Sequence, residues 1–247
     1  MFNKLNPILK KHLFLIIVLS FVFSCKKDVS IEFSEAHIET SKDADIAINY
    51  PKAEGNKDVS ERINTTIENY IVSQINFSED SLTNITIKNA VERFNTEYTT
   101  FKSDFPDSPQ KWEAFIDGEV TYRSPEVICM AINSYLDTGG AHGNTNVRFF
   151  NFNPQTGELY SKSELINNVS DISKIIERKL QEKAKSKSDE PIEDFFFGKD
   201  FQLPETIGYS DEGLIILYNP YEIASYSQGI IEFIIPYSEI SSYLNIY

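Results

Sequence analysis

The sequence predicts an α+β fold in which an antiparallel β-sheet carries helices on one side and the chain forms two lobes. Three observations support this fold class. Two long segments repeat apolar residues at helical spacing, three consecutive segments after residue 110 have the patterns of strands, and shorter apolar runs return near the C-terminus. The 247 residues, 41% of them hydrophobic, are enough to build a packed core.

Residues 1–24 have the composition of a signal peptide. Three lysines form a basic start, and the apolar run at 13–23 is far shorter than the roughly 20 residues that cross a bilayer as a helix. The segment ends in Val-Phe-Ser-Cys, which resembles a bacterial lipobox. We therefore expect Cys25 to be lipidated, residues 25–34 to form a tether, and the acyl chains to anchor the protein to a membrane, in the periplasm or at the cell surface.

The N-terminal lobe is predicted to comprise residues 35–158. A β-like segment covers 31–50, and two amphipathic helices are expected at 59–76 and 82–103, because apolar residues recur there at every third or fourth position. The stretch Asp58-Val59-Ser60-Glu61 has the form of a capping box that opens the first of these helices.

A meander of three antiparallel strands is predicted to complete this lobe. Its first strand has apolar residues at every second position: Trp112, Ala114, Ile116, Gly118 and Val120. The positions between them are mostly acidic, which is typical of a strand with one face in water. The run at 127–136 is more uniformly apolar and is predicted to be a central strand, and the third strand is expected at 147–152.

The C-terminal lobe is predicted to comprise residues 159–247. Ser161-Lys162-Ser163-Glu164 has the form of a second capping box, and a longer helix is expected at about 169–187. Three short strands and a final helix are predicted to follow, at 203–208, 214–218, 230–235 and 237–244.

The connection between the second and third strands of the meander is the strongest candidate for a functional loop. It combines three glycines, which permit positive φ angles and close approach of the backbone, with a single histidine. A plain hairpin connection and a loop that holds the histidine against a partner both fit this composition. Two tyrosines in the polar stretch 219–228 are further candidates, since tyrosine is enriched at interfaces. The predicted partner-binding residues are Asp137, Gly139, Gly140, His142, Tyr221 and Tyr226.

Two parts of the sequence resemble a pair of bacterial envelope domains. The first comprises the loop at 135–143 and the turn at 152–158, and the second comprises the runs at 213–224 and 234–237. This pair is found in the extracellular part of the lysozyme-sensing anti-sigma factor (RsiV-type), before the catalytic domain of a peptidoglycan deacetylase (PdaC-type), and in many bacterial lipoproteins. The resemblance implies an accessory module, which binds a basic protein such as lysozyme if the family function carries over.

The departures from these relatives bear on function. An anti-sigma factor needs a cytoplasmic segment and a membrane span, whereas a cleaved leader and a lipid anchor are expected here. The deacetylase needs a metal site of aspartate and paired histidines, whereas the predicted mature chain has only His37 and His142. The resemblance therefore extends to the accessory module without the catalytic domain.

Composition and motifs narrow the functional classes. The formal net charge is −14, and it falls to −17 without the leader, which holds three lysines and no acid, so nucleic acid would be repelled. With two cysteines and two distant histidines, neither a disulfide framework nor a metal site is predicted. No nucleotide-binding motif suggests a cofactor.

The preferred hypothesis is a non-catalytic, lipid-anchored binding module. The alternatives are a peptidoglycan-binding or other glycan-binding accessory protein and a hydrolase centred on His142, with Asp137 as its orienter.

Overall fold

The computed structural model describes residues 30–76, 85–187 and 192–247, where the strands form one sheet of five and one of three. Helices accompany both sheets, so the α+β class is confirmed. The predicted signal peptide and the lipidation site at Cys25 lie outside the described residues. None of the helices within these residues is long and apolar enough to span a membrane.

The larger sheet has the strand order β1-β2-β3-β4-β5. Its strands are β1 Ile31–Thr40, β2 Asp45–Gly55, β3 Glu113–Arg123, β4 Ile128–Asp137 and β5 Asn144–Phe152. Neighbouring strands are antiparallel except β2 and β3, which pair in parallel. The predicted antiparallel sheet is therefore a mixed sheet that contains one parallel pair. The two predicted helices lie between β2 and β3, and such a crossover permits the parallel pairing that a short hairpin forbids.

Two helices form this crossover, α1 Lys57–Ile75 and α2 Ile87–Asp104. The N-cap of α1 is Asn56, whose side chain accepts a hydrogen bond from the backbone of Val59 at 3.3 Å, so the expected capping box at Asp58 is not the start of the helix. The second helix begins after Thr86, which caps it in the same way, and the first residues of the range predicted for it lie outside the described residues.

The central strand β4 separates two hydrophobic cores. Successive side chains on a strand point to opposite faces. Ile128, Met130 and Ile132 therefore pack with helices α1 and α2 in the first core, while Cys129 and Ala131 belong to the second core. This double burial explains why the run at 127–136 is almost continuously apolar, and it confirms the prediction that it is a central strand.

The second core lies under the smaller, antiparallel sheet, which is made of β6 Ile207–Tyr209, β7 Gly213–Tyr218 and β8 Ile231–Pro236. Its helices are α3 Lys162–Leu165, α4 Val169–Lys187 and α5 Tyr237–Ile240. The capping box of α3 is confirmed, with both hydrogen bonds between Ser161 and Glu164 present. The expected strand at 203–208 is shorter than predicted, and the expected helix at 237–244 ends at Ile240 in a 3₁₀ turn.

The C-terminal lobe covers part of the outer face of the larger sheet, opposite the helices α1 and α2. The backbone N–H of Tyr209 donates to the Sγ of buried Cys129 at 3.3 Å, and the side chain of Asn151 on β5 donates to the carbonyl of Ile207 at 2.8 Å. Hydrogen bonds between the lobes therefore form inside the second core.

Candidate functional site

The loop that joins β4 to β5 is held by hydrogen bonds at both sides of Gly139. The N–H of Gly139 donates to Oδ1 of Asp137 at 2.8 Å, and the carbonyl of Gly139 accepts from Nε2 of Gln110 at 2.6 Å. Gly139 has a φ of +90°, a conformation that favours glycine. Asp137 therefore shapes the loop through a main-chain contact.

The other two glycines of the loop differ in the space around their Cα atoms. Gly143 is buried against the ring of Tyr135, where a Cβ atom would lie 2.4 Å from the ring atoms. Gly140 is exposed, and a Cβ atom there would meet only the carbonyl oxygen of His142, at 3.7 Å. Glycine is thus sterically needed at 139 and 143, whereas Gly140 lies at the open tip of the loop.

His142 is exposed, and both nitrogens of its ring have partners. Its Nδ1 lies 2.8 Å from the carbonyl oxygen of Gly143. A carbonyl oxygen only accepts, so Nδ1 carries a proton, and in the neutral ring Nε2 is then free to accept. The hydroxyl of Tyr221 lies 3.4 Å from Nε2 and donates to it. Asp137 is not the residue that orients the imidazole, so the proposed Asp137–His142 couple is not formed in this structure.

Three rings from the two lobes stack at the surface, and we call His142, Tyr221 and Tyr226 the aromatic cluster. The ring centroids of His142 and Tyr226 are 3.6 Å apart with planes at 16°, and those of Tyr221 and Tyr226 are 5.7 Å apart. The hydroxyl of Tyr226 also donates to the carbonyl of Gly143 at 2.9 Å. The structure therefore brings the predicted loop and the predicted tyrosines into one site.

The turn that carries the tyrosines is fixed to the edge of the larger sheet by Asn219. Its side-chain amide donates to the carbonyl of Val147 at 2.9 Å and accepts from the N–H of the same residue at 2.7 Å. Two residues later, Tyr221 has a φ of +67°, which is strained for a residue other than glycine. Its side chain is 55% exposed, so this backbone conformation holds an aromatic ring at the surface.

Sequence reasoning missed two aromatic residues beside the cluster. Phe115 on β3 and Tyr135 on β4 stack with centroids 6.1 Å apart and planes at 10°, and Phe115 is 40% exposed. Tyr135 connects this pair to the cluster through its contact with Gly143. Desolvation, and then the nearby charge of Asp137, raise the pKa of the Tyr135 hydroxyl, so it stays protonated and able to donate a hydrogen bond. The signal was available, because Phe115 interrupts the acidic positions of its strand.

The site offers ring faces, hydroxyls and amide groups for contact. Within the ranges 30–76, 85–187 and 192–247, no group of three or more histidine, cysteine, aspartate or glutamate side chains is placed to hold a metal ion. The other histidine of these ranges, His37, lies on β1, where its ring contacts Asn49 and Glu39.

Two family models match separate parts of the chain. Residues 38–145 match the model described as deacetylase PdaC, and residues 161–238 match the model described as a protein of unknown function (DUF3298). Both members of the predicted domain pair are therefore matched by the chain. His142 lies in the PdaC-like segment, whereas Tyr221 and Tyr226 lie in the DUF3298-like segment, so the aromatic cluster forms where the two segments meet.

Two solved structures with a similar fold are described as members of the DUF3298 family. A member of the DUF3298 family from Bacteroides fragilis aligns with a TM-score of 0.64 at 18% identity, covering 89% of this chain and 95% of that one. A DUF3298 family protein from Pseudomonas aeruginosa aligns with a TM-score of 0.57 at 18% identity, covering 88% and 95%. At this identity the similarity concerns the fold alone. No curated protein matches the chain in sequence.

Proposed function

We propose that this protein is a lipid-anchored binding module of the cell envelope, and that it contacts its partner through the aromatic cluster without catalysing a reaction. The observation that carries the proposal is the stack of His142, Tyr221 and Tyr226 at the surface between the two lobes. Tyrosine rings give rigid contact area at little cost in conformational entropy, which is why they are frequent at binding surfaces.

The partner that this surface favours is a basic protein such as lysozyme. The formal charge of −14 attracts a cationic partner and speeds their encounter, and this attraction weakens at high salt. The domain pair supports the same choice of partner, because it resembles the extracellular part of the lysozyme-sensing anti-sigma factor.

Titration calorimetry with hen lysozyme tests this partner directly. The chain from residue 26 onward, which contains every residue that the structure describes, should bind lysozyme at low salt and more weakly at high salt. Tyr226→Ala should reduce the affinity about tenfold or more, because it removes the ring that stacks on His142. Phe105→Ala is a matched control, since it removes an exposed ring from the end of α2. Absence of binding at low salt would refute the lysozyme proposal.

Glycan binding is the second candidate, and the exposed pair of Phe115 and Tyr135 favours it. Sugar rings present C–H groups that pack on aromatic faces, and the hydroxyls of the cluster supply hydrogen bonds. This candidate predicts that the protein sediments with purified peptidoglycan sacculi and that Tyr221→Ala weakens the association. Sedimentation that is insensitive to this substitution would argue against recognition by the cluster.

The hydrolase alternative receives less support from the geometry. The Nε2 of His142, which would act as the base, lies 3.4 Å from the hydroxyl of Tyr221, and the carboxylate of Asp137 is bound to the N–H of Gly139. A general base usually has a carboxylate or a similar group that orients it toward a nucleophile.

The membrane anchor is tested separately from binding. Cys25→Ala should release the protein from membranes and abolish its labelling with a radioactive fatty acid, because the thiol of this residue is the proposed acceptor of the acyl chains. Labelling that persists in the variant would refute the lipobox assignment and leave the binding proposal unaffected.

A further inference from the structure

A cleft lies between the two sheets, lined by residues of both lobes. Its volume is about 240 Å³, and it is lined by β3, β4 and β5 on one side and by β7 and β8 on the other. Pockets for small molecules usually occupy roughly 300–1,000 Å³, so this cleft is suited to a single long side chain.

The walls of the cleft are largely apolar, and its polar groups are mostly acidic. Ala131, Val147, Phe149, Ile215 and Leu217 line the walls. Three carboxylates line the same space: Asp117 and Glu119 from β3, and Glu232 from β8. Among the described residues, none of these three carboxylates takes part in an ion pair or hydrogen bond, so the chain itself supplies no cation to them. The cleft is thus complementary to a group with an aliphatic stem and a positive end.

The cleft lies on the same face of the larger sheet as the aromatic pair of Phe115 and Tyr135. Asp117 lies two residues after Phe115 on β3, and Asn133 lies two residues before Tyr135 on β4, so each pair shares one face of the sheet. Val147, in the cleft wall, is the residue whose backbone holds Asn219 and the turn with Tyr221. The cleft and the two parts of the exposed aromatic surface are therefore linked through strands β3, β4 and β5.

We propose that this acidic cleft binds an arginine side chain that projects from the basic protein partner, an inference that rests on the proposed function. The apolar walls take the methylene groups of the side chain, and the carboxylates take the guanidinium. Arginine fits better than lysine because its planar head has five N–H donors that can bond several carboxylates at once. Phe115, at the same end of the sheet, offers its face to the guanidinium as it enters.

Nuclear magnetic resonance tests the cleft with a probe that does not depend on lysozyme. The ¹⁵N-labelled chain from residue 26 is titrated with N-acetyl-arginine amide and, in parallel, with its uncharged analogue N-acetyl-citrulline amide. We expect saturable amide shifts centred on Glu119 and Glu232 with the arginine compound and much smaller shifts with citrulline. Equal shifts with both compounds, or none in the cleft at millimolar concentrations, would overturn the proposal.

A triple variant then relates the cleft to partner binding. Asp117→Asn, Glu119→Gln and Glu232→Gln together should abolish the shifts and weaken lysozyme binding about tenfold or more. The matched control removes three exposed carboxylates from helices α2 and α4, through Glu92→Gln, Asp104→Asn and Glu182→Gln. Because both variants change the net charge equally, the difference between them isolates the cleft from long-range attraction.

The outcomes separate this inference from the proposed function. If the wild-type chain shows the arginine shifts and does not bind lysozyme, the cleft stands and the lysozyme proposal falls. If the wild-type chain binds lysozyme, and the cleft variant and the control bind it equally well, the proposed function stands and the arginine cleft is refuted. When the arginines of lysozyme are blocked with 1,2-cyclohexanedione, its affinity for the wild-type chain should fall by the same factor as the cleft substitutions cause.

Discussion

The outer face of the five-stranded sheet is covered by the C-terminal lobe at one end and is open at the other. At the covered end, Cys129 is buried beneath Tyr209 of the C-terminal lobe, and Phe149 is buried beneath Gly208. At the open end, Phe115 and Tyr135 stack on each other without such a cover. Large apolar side chains thus occupy both ends, although only one end gains stability from complete burial.

Apolar residues at the two ends therefore differ in how much they contribute to the stability of the fold. Burial of apolar surface contributes roughly 25 cal/mol per Å², so the covered end stabilises the union of the lobes. An exposed group of aromatic rings gains little of this stability, and such patches on soluble domains usually mark interaction sites. The exposed rings at the open end therefore support the proposal that this end contacts a partner, and substitutions at the two ends should affect different measurements.

Tyr209→Ala tests the covered end and should have the largest effect on stability. The side chain is fully buried, and its hydroxyl donates to the carbonyl of Ile246 at 2.9 Å. Loss of the ring should lower the free energy of unfolding by about 3–5 kcal/mol, measured by urea denaturation. Tyr209→Phe should cost only about 1 kcal/mol, because it keeps the ring and removes one hydrogen bond. Similar losses in both variants would mean that packing is not what stabilises this end.

Cys129 provides a smaller, pH-dependent test of the same end. Burial raises the pKa of its thiol to about 11, so the folded state disfavours the thiolate. The resulting stability is complete below the pKa of the unfolded chain, about 9.0, and is lost as the pH rises through about 11. Between pH 8 and 11, wild type should therefore lose about 2 kcal/mol more than Cys129→Ala, measured by urea denaturation. An equal loss in both proteins would contradict a buried, protonated thiol.

Phe115→Ala tests the open end and should have the smallest effect on stability. Since the ring is already 40% exposed, its removal should change the free energy of unfolding by less than about 1 kcal/mol. Binding to lysozyme should weaken in the same variant, whereas Tyr209→Phe should bind as wild type does. A large loss of stability with unchanged binding would reverse the assignment of the two ends.

Much of the fold could be predicted from the sequence, because its patterns report burial directly. The continuous apolar run at 127–136 indicated a strand covered on both faces, and it separates two cores. The parallel pairing of β2 with β3 could not be read in the same way, since periodicity gives the face of a strand and not the direction of its neighbour. The start of α1 was misplaced because Asn56, two residues earlier, caps the helix.

The candidate site was predictable in its parts and not in its assembly. Glycines around a histidine and tyrosines in a polar turn are local signals, and they identified both sides of the aromatic cluster. The acidic cleft has no local signal, because Asp117 and Glu232 are 115 positions apart in the chain and meet only through the packing of the lobes. Residues that line a space between two sheets become neighbours in the folded chain alone.

The side chain of Asn219 has a consequence beyond positioning a turn. By pairing with both backbone groups of Val147, it occupies hydrogen-bonding positions at which another strand would add to the edge of β5. The opposite edge strand, β1, carries exposed glutamates at Glu32, Glu35 and Glu39. The side-chain amide of Asn219 thus blocks the β5 edge by forming the hydrogen bonds that a strand would form. At the β1 edge, the glutamates repel the same edge of another copy. Both devices oppose the edge-to-edge association of copies of this chain.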